Sequence, residues 1–424
     1  MSKEIKNRVV PKLRFPEFKN EGEWDCTLLE NLCELITKGT TPTTIGFNYI
    51  GSGINFIKIE SILDGKINLD KVAFISAECN EVLKRSQLKE NDILFSIAGA
   101  LGVITTVSNE ILPANTNQAL SIVRLRNTSQ KDYLKAYLNS NLITSEITKI
   151  KAGAAQPNIS LNQVGNFKIL IPKSSEEQQK IAYCLSSLDD LITAENQQLD
   201  ALKAHKKGLM QQLFPAEGET VLKLRFAEFM DSGEWEEDLL ENLSTKISDG
   251  IHSTPVYDES GDYFFINGNN LFEGKIYIDE NTKKVTDDEY KKHRRELNQN
   301  TILLSINGTI GNIAEYNNEK VILGKSACYI NIDISKANKL FIKYFLQTEV
   351  VNNYFDGELT GSTIKNLSLK TIKNTLVKFP KTIEQQKIAS CLSSLDELIT
   401  AQAEKIESLK LHKKGLMQGL FPAV

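Results

Sequence analysis

The apolar positions of this chain form a pattern that occurs twice. In residues 175–215 they alternate in steps of four and three, through Ile181, Leu185, Leu188, Ile192, Leu199, Leu202, Leu209 and Leu213. The same steps return in residues 382–422, through Ile388, Leu392, Leu395, Ile399, Ile406, Leu409, Leu416 and Leu420. This spacing makes the a/d seam of a coiled coil, so each stretch predicts one long helix. Most positions in 177–215 are identical to their counterparts in 384–422. Ser175-x-x-Gln178 and Thr382-x-x-Gln385 have the form of capping boxes. Phe214-Pro215 and Phe421-Pro422 close the helices, because proline cannot continue them. Each helix would span roughly 55–60 Å. One alone would expose its apolar stripe, whereas two in one chain can pair with each other. Two seam slots are polar in both copies: Glu195 with Gln402, and Lys206 with Lys413. Either these long side chains reach out to solvent, or they fix register between the helices.

The duplication extends beyond the helices. KLRFPEF at 12–18 matches KLRFAEF at 223–229, and GEW at 22–24 matches GEW at 233–235. Between strap and helix lie about 150 residues whose copies share only a skeleton. FIKIESILDGKI at 56–67 aligns with FINGNNLFEGKI at 265–276, and DILFSIAGALGVI at 92–104 with TILLSINGTIGNI at 301–313. Short β-branched runs broken by Gly and Asn predict twisted strands and tight turns. Helical patterns intervene at about 131–151 and 339–355, and residues 167–171 and 375–379 read as closing strands. Each globular part is therefore α+β. The expected domains are 1–172, a central helix at 173–215, 216–380, and a C-terminal helix at 381–424. The helices are near copies while the globular parts keep a frame and differ in their loops. A protein that docks one partner twice and reads two targets would diverge in that way.

Composition narrows the function. Among 424 residues, 50 are basic and 54 acidic, giving a net charge of −4. Nucleic-acid binding would then rest on local patches or on a partner's help. The six cysteines contain no CxxC pair and read as reduced, mostly buried thiols. No apolar run reaches membrane length and the start has no signal-peptide core, so a soluble cytoplasmic protein is expected. Catalytic chemistry finds no foothold. A DNA amino-methyltransferase needs adjacent prolines before an aromatic residue, and no two prolines are adjacent. Gly99 with Gly102 and Gly308 with Gly311 are too closely spaced for a methyl-donor loop. Gly324-Lys325-Ser326 lacks the earlier glycine of a phosphate loop, having Glu319 there. The histidines at 205, 252, 293 and 412 do not cluster, so no metal site is expected. The chain does not read as an enzyme.

The nucleic-acid signals are local and paired. KKHRR at 291–295 is the densest basic run, and Lys84-Arg85 lies at the matching place in the first half. Gly39, Gly99, Gly250 and Gly308 mark loops whose backbone can approach phosphates. Asn and Gln pair bidentately with adenine, Arg and Lys with guanine, and such residues are dense around these loops, as at Asn115, Thr116, Asn267 and Asn366. The first-half candidates are Lys38, Gly39, Thr40, Thr41, Lys84, Arg85, Asn117, Gln118, Gln156 and Asn158. The second-half candidates are Gly250, His252, Ser253, Asn269, Asn270, Lys292, Arg294, Arg295, Asn307, Lys325, Ser362, Thr363 and Lys365. For any one of them a turn or capping role competes. The recurrence of the set in equivalent loops argues for readout.

Taken together, the chain resembles the specificity (S) subunit of a type I restriction-modification system. The resemblance covers essentially all of it. It is carried by Pro172, Glu177, Gln178, Ile181 and Leu185 with Pro380, Glu384, Gln385, Ile388 and Leu392, by the Leu-Phe-Pro helix endings, by the Gly-to-Pro loops at 39–42 and 250–255, and by the segments around Gly99 and Gly308. It implies two similar target recognition domains in pseudo-two-fold arrangement, separated by two long antiparallel helices forming a coiled coil. Each domain would read one half of a bipartite site in double-stranded DNA. The helices, through their seam residues, would set the spacing and dock two methyltransferase subunits that modify adenine at N6. Two restriction subunits would join. S-adenosylmethionine, ATP and Mg would be bound by those partners, and no cofactor by this chain. The alternatives are a specificity module of a methylation-only or other defence complex, a fused methyltransferase, and an adaptor that does not read DNA.

Overall fold

The computed structural model describes residues 9–152, 157–219, 222–360 and 365–422. The chain forms two compact units, whose boundaries fall inside the long helices. One unit comprises residues 1–196 and 404–424, the other 197–403. The central helix Ser175–Leu213 and the C-terminal helix Thr382–Leu420 each contribute one end to each unit.

In the first unit a four-stranded antiparallel sheet has the order Cys33–Lys38, Leu120–Leu125, Ile93–Ser96, Ile104–Thr106. A three-stranded sheet places Ile54–Ile57 between Ala73–Ile75, antiparallel, and Ala114–Thr116, parallel. A third pair joins Asp25–Leu28 to Lys168–Ile171, so the strand after the strap meets the last strand before the helix. The second unit repeats this order: Ser244–Asp249, Ala327–Ile332, Thr301–Ser305, Ile313–Glu315 in one sheet, Tyr263–Ile266 between Lys284–Val285 and Val321–Leu323 in another, and Glu236–Leu239 with Leu376–Phe379. Central strands such as Ile93–Ser96 and Thr301–Ser305 are buried throughout, which explains their unbroken apolar runs.

Each single helical pattern proves to be two helices. Lys131–Leu138 is followed by Asn141–Lys151, and Lys339–Phe345 by Glu349–Gly357. The breaks fall at residues that favour caps: Thr348 accepts a hydrogen bond from the Val351 amide, and extended Ser140 precedes Asn141. The capping boxes are also corrected. Ser174, not Ser175, accepts from the Glu177 amide, at 3.2 Å. Gln178 and Gln385 instead donate to the carbonyls of Pro172 and Pro380, each at 2.8 Å. They tie the helix starts to the preceding strands.

The main core of each unit lies between the four-stranded sheet, the short helices and the ends of the long helices. In the first unit it includes Trp24, Phe95, Tyr133, Tyr137, Ile181 and Leu185 of the central helix, and Met417, Leu420 and Phe421 of the C-terminal helix. In the second it includes Phe341, Phe345, Ile388 and Leu392, with Leu213 and Phe214 from the end of the central helix. Phe421 meets Tyr137 edge-on with centroids 5.1 Å apart, and Phe214 meets Phe341 at 5.4 Å. Each unit is thus completed by residues from a distant part of the chain.

Candidate nucleic-acid interface

Several loops that the sequence marks are knit together by backbone hydrogen bonds. In the first unit the Gly39 amide donates to the Asn117 carbonyl at 3.1 Å, the Ile97 amide to Ala119 at 2.8 Å, and the Ile159 amide to Ile97 at 2.9 Å. A Cβ on Gly39 would lie 1.7 Å from the Thr116 carbonyl oxygen, so only glycine fits. The Thr41 amide and hydroxyl both donate to Gln118 Oε1. The Arg85 guanidinium reaches the Lys38 carbonyl at 3.5 Å. Lys38, Gly39, Thr40, Thr41, Arg85, Asn117, Gln118 and Asn158 thereby share one neighbourhood. Lys84 stands beside Arg85, paired with Glu81 at 3.5 Å.

The second unit builds the same cluster from different side chains. The Gly250 amide donates to Ala327 at 3.2 Å, Ile306 to Ser326 at 2.9 Å, and Leu367 to Ile306 at 2.9 Å. A Cβ on Gly250 would lie 2.1 Å from the Leu323 carbonyl. Arg295 donates to the carbonyls of Asp249 and Gly250, at 3.1 and 2.9 Å. It occupies the place of Arg85 and holds the loop rather than projecting from it. The Gly268 amide donates to Ser326 Oγ, and Ser326 to Asn267 Oδ1, both at 2.9 Å. Gly250, Asn269, Asn270, Arg295, Asn307 and Lys325 are brought together here. Asn366, next to Lys365, forms a β-bridge to Asn307. His252 is exposed, its ring 2.8 Å from the Asp249 carboxylate, and Ser253 follows it on the surface. Lys292 and Arg294 are also exposed.

Several polar residues serve the fold instead. Asn115 and Thr116 are fully buried: Asn115 donates to Asn80 and Leu83, and Thr116 to the Ile57 carbonyl. Asn270 accepts from the Asn267 amide and donates to the Tyr277 carbonyl, which fixes its own turn. Gln156, Ser362 and Thr363 lie outside the described residues. Two residues escaped the sequence reading. Lys58 and Glu60 occupy the turn equivalent to Asn267–Asn269, and the alignment of FIKIES with FINGNN carried that signal. Their side chains pair at 2.7 Å, and Glu60 stays 62% exposed. The hydrogen bond from Lys58 holds the Glu60 carboxyl below its usual range.

The helix seam is used inside each unit. Ile181, Leu185, Leu213, Ile388, Leu392, Ile406 and Leu420 are buried, whereas Leu188, Ile192, Leu199, Leu202, Leu209, Leu395, Ile399, Leu409 and Leu416 are half-buried. Glu195 and Gln402 are buried as well, at 7% and 9% exposure. Lys405 pairs with Glu195 at 2.7 Å and Lys413 with Asp189 at 2.5 Å in the first unit, and Lys206 with Asp396 at 2.6 Å in the second. The polar seam slots therefore engage the facing helix, which favours the register reading over solvation. In the first unit the two segments run antiparallel, since the partner falls from Glu195 to Asp189 as Lys405 gives way to Lys413. Other apolar residues of the helices face outward, including Tyr183, Leu191, Leu398 and Leu411. Among the described residues no cluster of His, Cys, Asp and Glu could hold a metal ion, and no helix is long and apolar enough to cross a membrane.

The duplicated frame, the paired loop clusters and the antiparallel helix segments coincide with a known pattern. The family model described as the type I restriction modification DNA specificity domain matches residues 21–204 and again residues 233–411. The chain belongs to this family. Two relatives from Methanocaldococcus jannaschii span nearly its whole length. The putative type I restriction enzyme MjaX specificity subunit is 27% identical over 415 residues, covering 94% of this chain and 93% of the relative. The MjaVIII specificity subunit is 24% identical over 422 residues, covering 96% and 93%. Among solved structures, the type I restriction-modification S subunit from M. genitalium shares the fold, with a TM-score of 0.58 at 16% identity over 98% of this chain and all of that one. The relatives are named as specificity subunits, in line with a recognition rather than a catalytic role.

Proposed function

We propose that this chain is the DNA-reading subunit of a type I restriction-modification complex, each loop cluster reading one half of a bipartite site. The observation that carries this is the contrast within the duplicated frame. The close glycine approaches to Thr116 and Leu323 and the backbone bonds of Ile97 and Ile306 recur in the two units, while the side chains they present differ: Thr41 and Gln118 in one unit, His252, Asn269 and Lys325 in the other. Phosphate contacts position a protein on DNA and base contacts specify sequence, so one frame with two sets of side chains suits two half-sites. The two methyltransferase subunits would dock on the helices. Because the seam residues are used within the units, docking falls to the outward face around Leu191, Leu398 and Leu411. Adenine N6 methylation, with S-adenosylmethionine, belongs to those subunits, and ATP and Mg to two restriction subunits where present. The helices would fix the unread gap between half-sites.

The test is genome-wide mapping of N6-methyladenine in cells expressing a cognate methyltransferase with and without this chain. A split motif that requires the chain is expected. A stable complex of the two proteins that produces no new motif would overturn DNA reading and favour an adaptor.

A further inference from the structure

The duplicated strap KLRFPEF/KLRFAEF lies outside the loop clusters, yet nearly every residue of it has a partner, and the partners repeat. Arg14 donates through Nε and Nη2 to the two carboxylate oxygens of Glu177, each at 2.7 Å, and through Nη1 to the Gly22 carbonyl at 2.7 Å. Arg225 does the same with Glu384, at 2.8 and 2.7 Å, and with Gly233 at 2.7 Å. These ion pairs are secluded: the side chains of Glu177 and Glu384 are 1% and 2% exposed. One turn on, Lys180 pairs with Glu17 and lies over the Phe15 ring, as Lys387 does with Glu228 and Phe226.

The adjacent residue grips a second helix. The Leu13 amide donates to the Gly419 carbonyl at 2.8 Å, in the last turn of the C-terminal helix. The Leu224 amide donates to Gln212 at 3.1 Å, in the last turn of the central helix. In each unit, one Leu-Arg dipeptide therefore holds the first turn of one long helix and the last turn of the other. The last carbonyls of a helix have no partner within it, so the strap also satisfies an orphan acceptor.

We infer that Leu13-Arg14 and Leu224-Arg225 are positioning residues that lock the axial register of the two long helices at each recognition domain, and through it the gap between half-sites. A bidentate Arg–carboxylate fork tolerates little displacement, whereas a heptad seam can re-form after sliding. A slip of one helical turn is about 5.4 Å, or one to two base pairs at ~3.4 Å each. This inference rests on the DNA-reading proposal above.

The test uses the full chain with its methyltransferase, carrying Arg14→Ala or Arg225→Ala, and maps the methylated motif. The expected result keeps both half-sites and spreads the gap one to two base pairs to either side. Arg14→Lys and Arg225→Lys keep the charge without the fork, and should narrow that spread. Alanine variants that retain the single wild-type gap at wild-type occupancy would overturn the inference. If the alanine variants methylate nothing, the lysine variants decide: a spread gap supports the lock, and a single wild-type gap overturns it. A wild-type chain that yields no split motif would instead sink the DNA-reading proposal itself.

Discussion

The two recognition domains place a lysine at the same point beneath their helix segments and surround it differently. In the second unit Lys343 lies 2.7 Å from Glu315 and 3.8 Å from Asp396, and only 6% of its side chain is exposed. Tyr344 donates to Asp396 at 2.7 Å, and Lys206 pairs with the same carboxylate. The first unit has Lys135 there, but Thr106 stands in place of Glu315 and Ala136 in place of Tyr344. Lys135 reaches the Gly65 carbonyl at 3.5 Å. Burial holds its ammonium below the usual lysine range, and Asp189 and Asp132 offset part of that while Lys66 and Lys413 add to it. In the second unit burial pushes Glu315 up, but Lys343 and Lys339 outweigh it and keep the carboxyl below its ordinary value. The second domain thus meets its helix segments through a charged network. Apolar packing of a helix-end phenylalanine is common to both, Phe421 against Tyr133 and Tyr137 and Phe214 against Phe341 and Phe345, so the difference lies in what surrounds the lysine. A duplicated frame diverges in its interior electrostatics as well as in its loops.

The largest expected effect tests that asymmetry. Lys343→Met removes one of the two lysines paired with Glu315, leaving Lys339 at 3.1 Å, and should cost the second unit about 1.5–3 kcal/mol. Lys135→Met removes an under-compensated charge and should leave the first unit unchanged or more stable. Hydrogen exchange under urea, followed by unit, reads both, and equal losses would break the comparison. The pH responses also differ. Lys135 has a depressed folded pKa, so the unfolded chain binds more protons between the folded and unfolded values. The first unit therefore gains stability as pH rises through that window, and Lys135→Met should flatten the gain. Glu315 is depressed as well, so its contribution is complete above the unfolded value of about 4.3 and is lost as pH falls through the folded value.

A smaller effect separates the two faces of the long helices. Leu185 and Leu392 are buried in the cores of their own units, so a charge at either would disrupt folding rather than report docking. Leu191 and Leu398 are 40% and 54% exposed. Leu191→Asp and Leu398→Asp should weaken methyltransferase binding about tenfold or more, near 1.4 kcal/mol, without lowering the melting temperature. Unchanged affinity in both would move the docking surface off this face.

Periodicity made the long helices legible, because a seam kept over about 38 residues has no β alternative. The repeat made the shared α+β frame legible, since Gly39 and Gly250 stand where backbone approaches backbone. The sequence pattern left three things hidden. The break at Thr348 depends on a side-chain cap and the one at Ser140 on a single extended residue, both of which an apolar pattern bridges. The contribution of each long helix to both units depends on contacts across the chain, such as Phe421 with Tyr137. The burial of Asn115 and Thr116, against the exposure of Asn269, depends on the first two lying in a strand covered on both faces and the third in a surface turn. Composition treats all three alike.

The smallest effect concerns what the two domains have in common. Lys84 and Lys292 lie in the corresponding basic stretches of the two domains, 75% and 66% exposed, each in a surface pair with a glutamate three residues before it. Such pairs contribute little to stability, so both lysines are available to phosphate. Lys84→Ala and Lys292→Ala should each weaken DNA binding by a similar factor on specific and non-specific sequences alike. Each should also reduce the salt dependence of log K by about 0.9, the value for one phosphate contact. Binding measured across a salt series, on the methylated motif and on scrambled DNA, reads both quantities. Equal changes from the two variants mean that the domains grip DNA identically and differ only in what they read. A change confined to one variant would extend the asymmetry seen at Lys135 and Lys343 out to the DNA-facing surface.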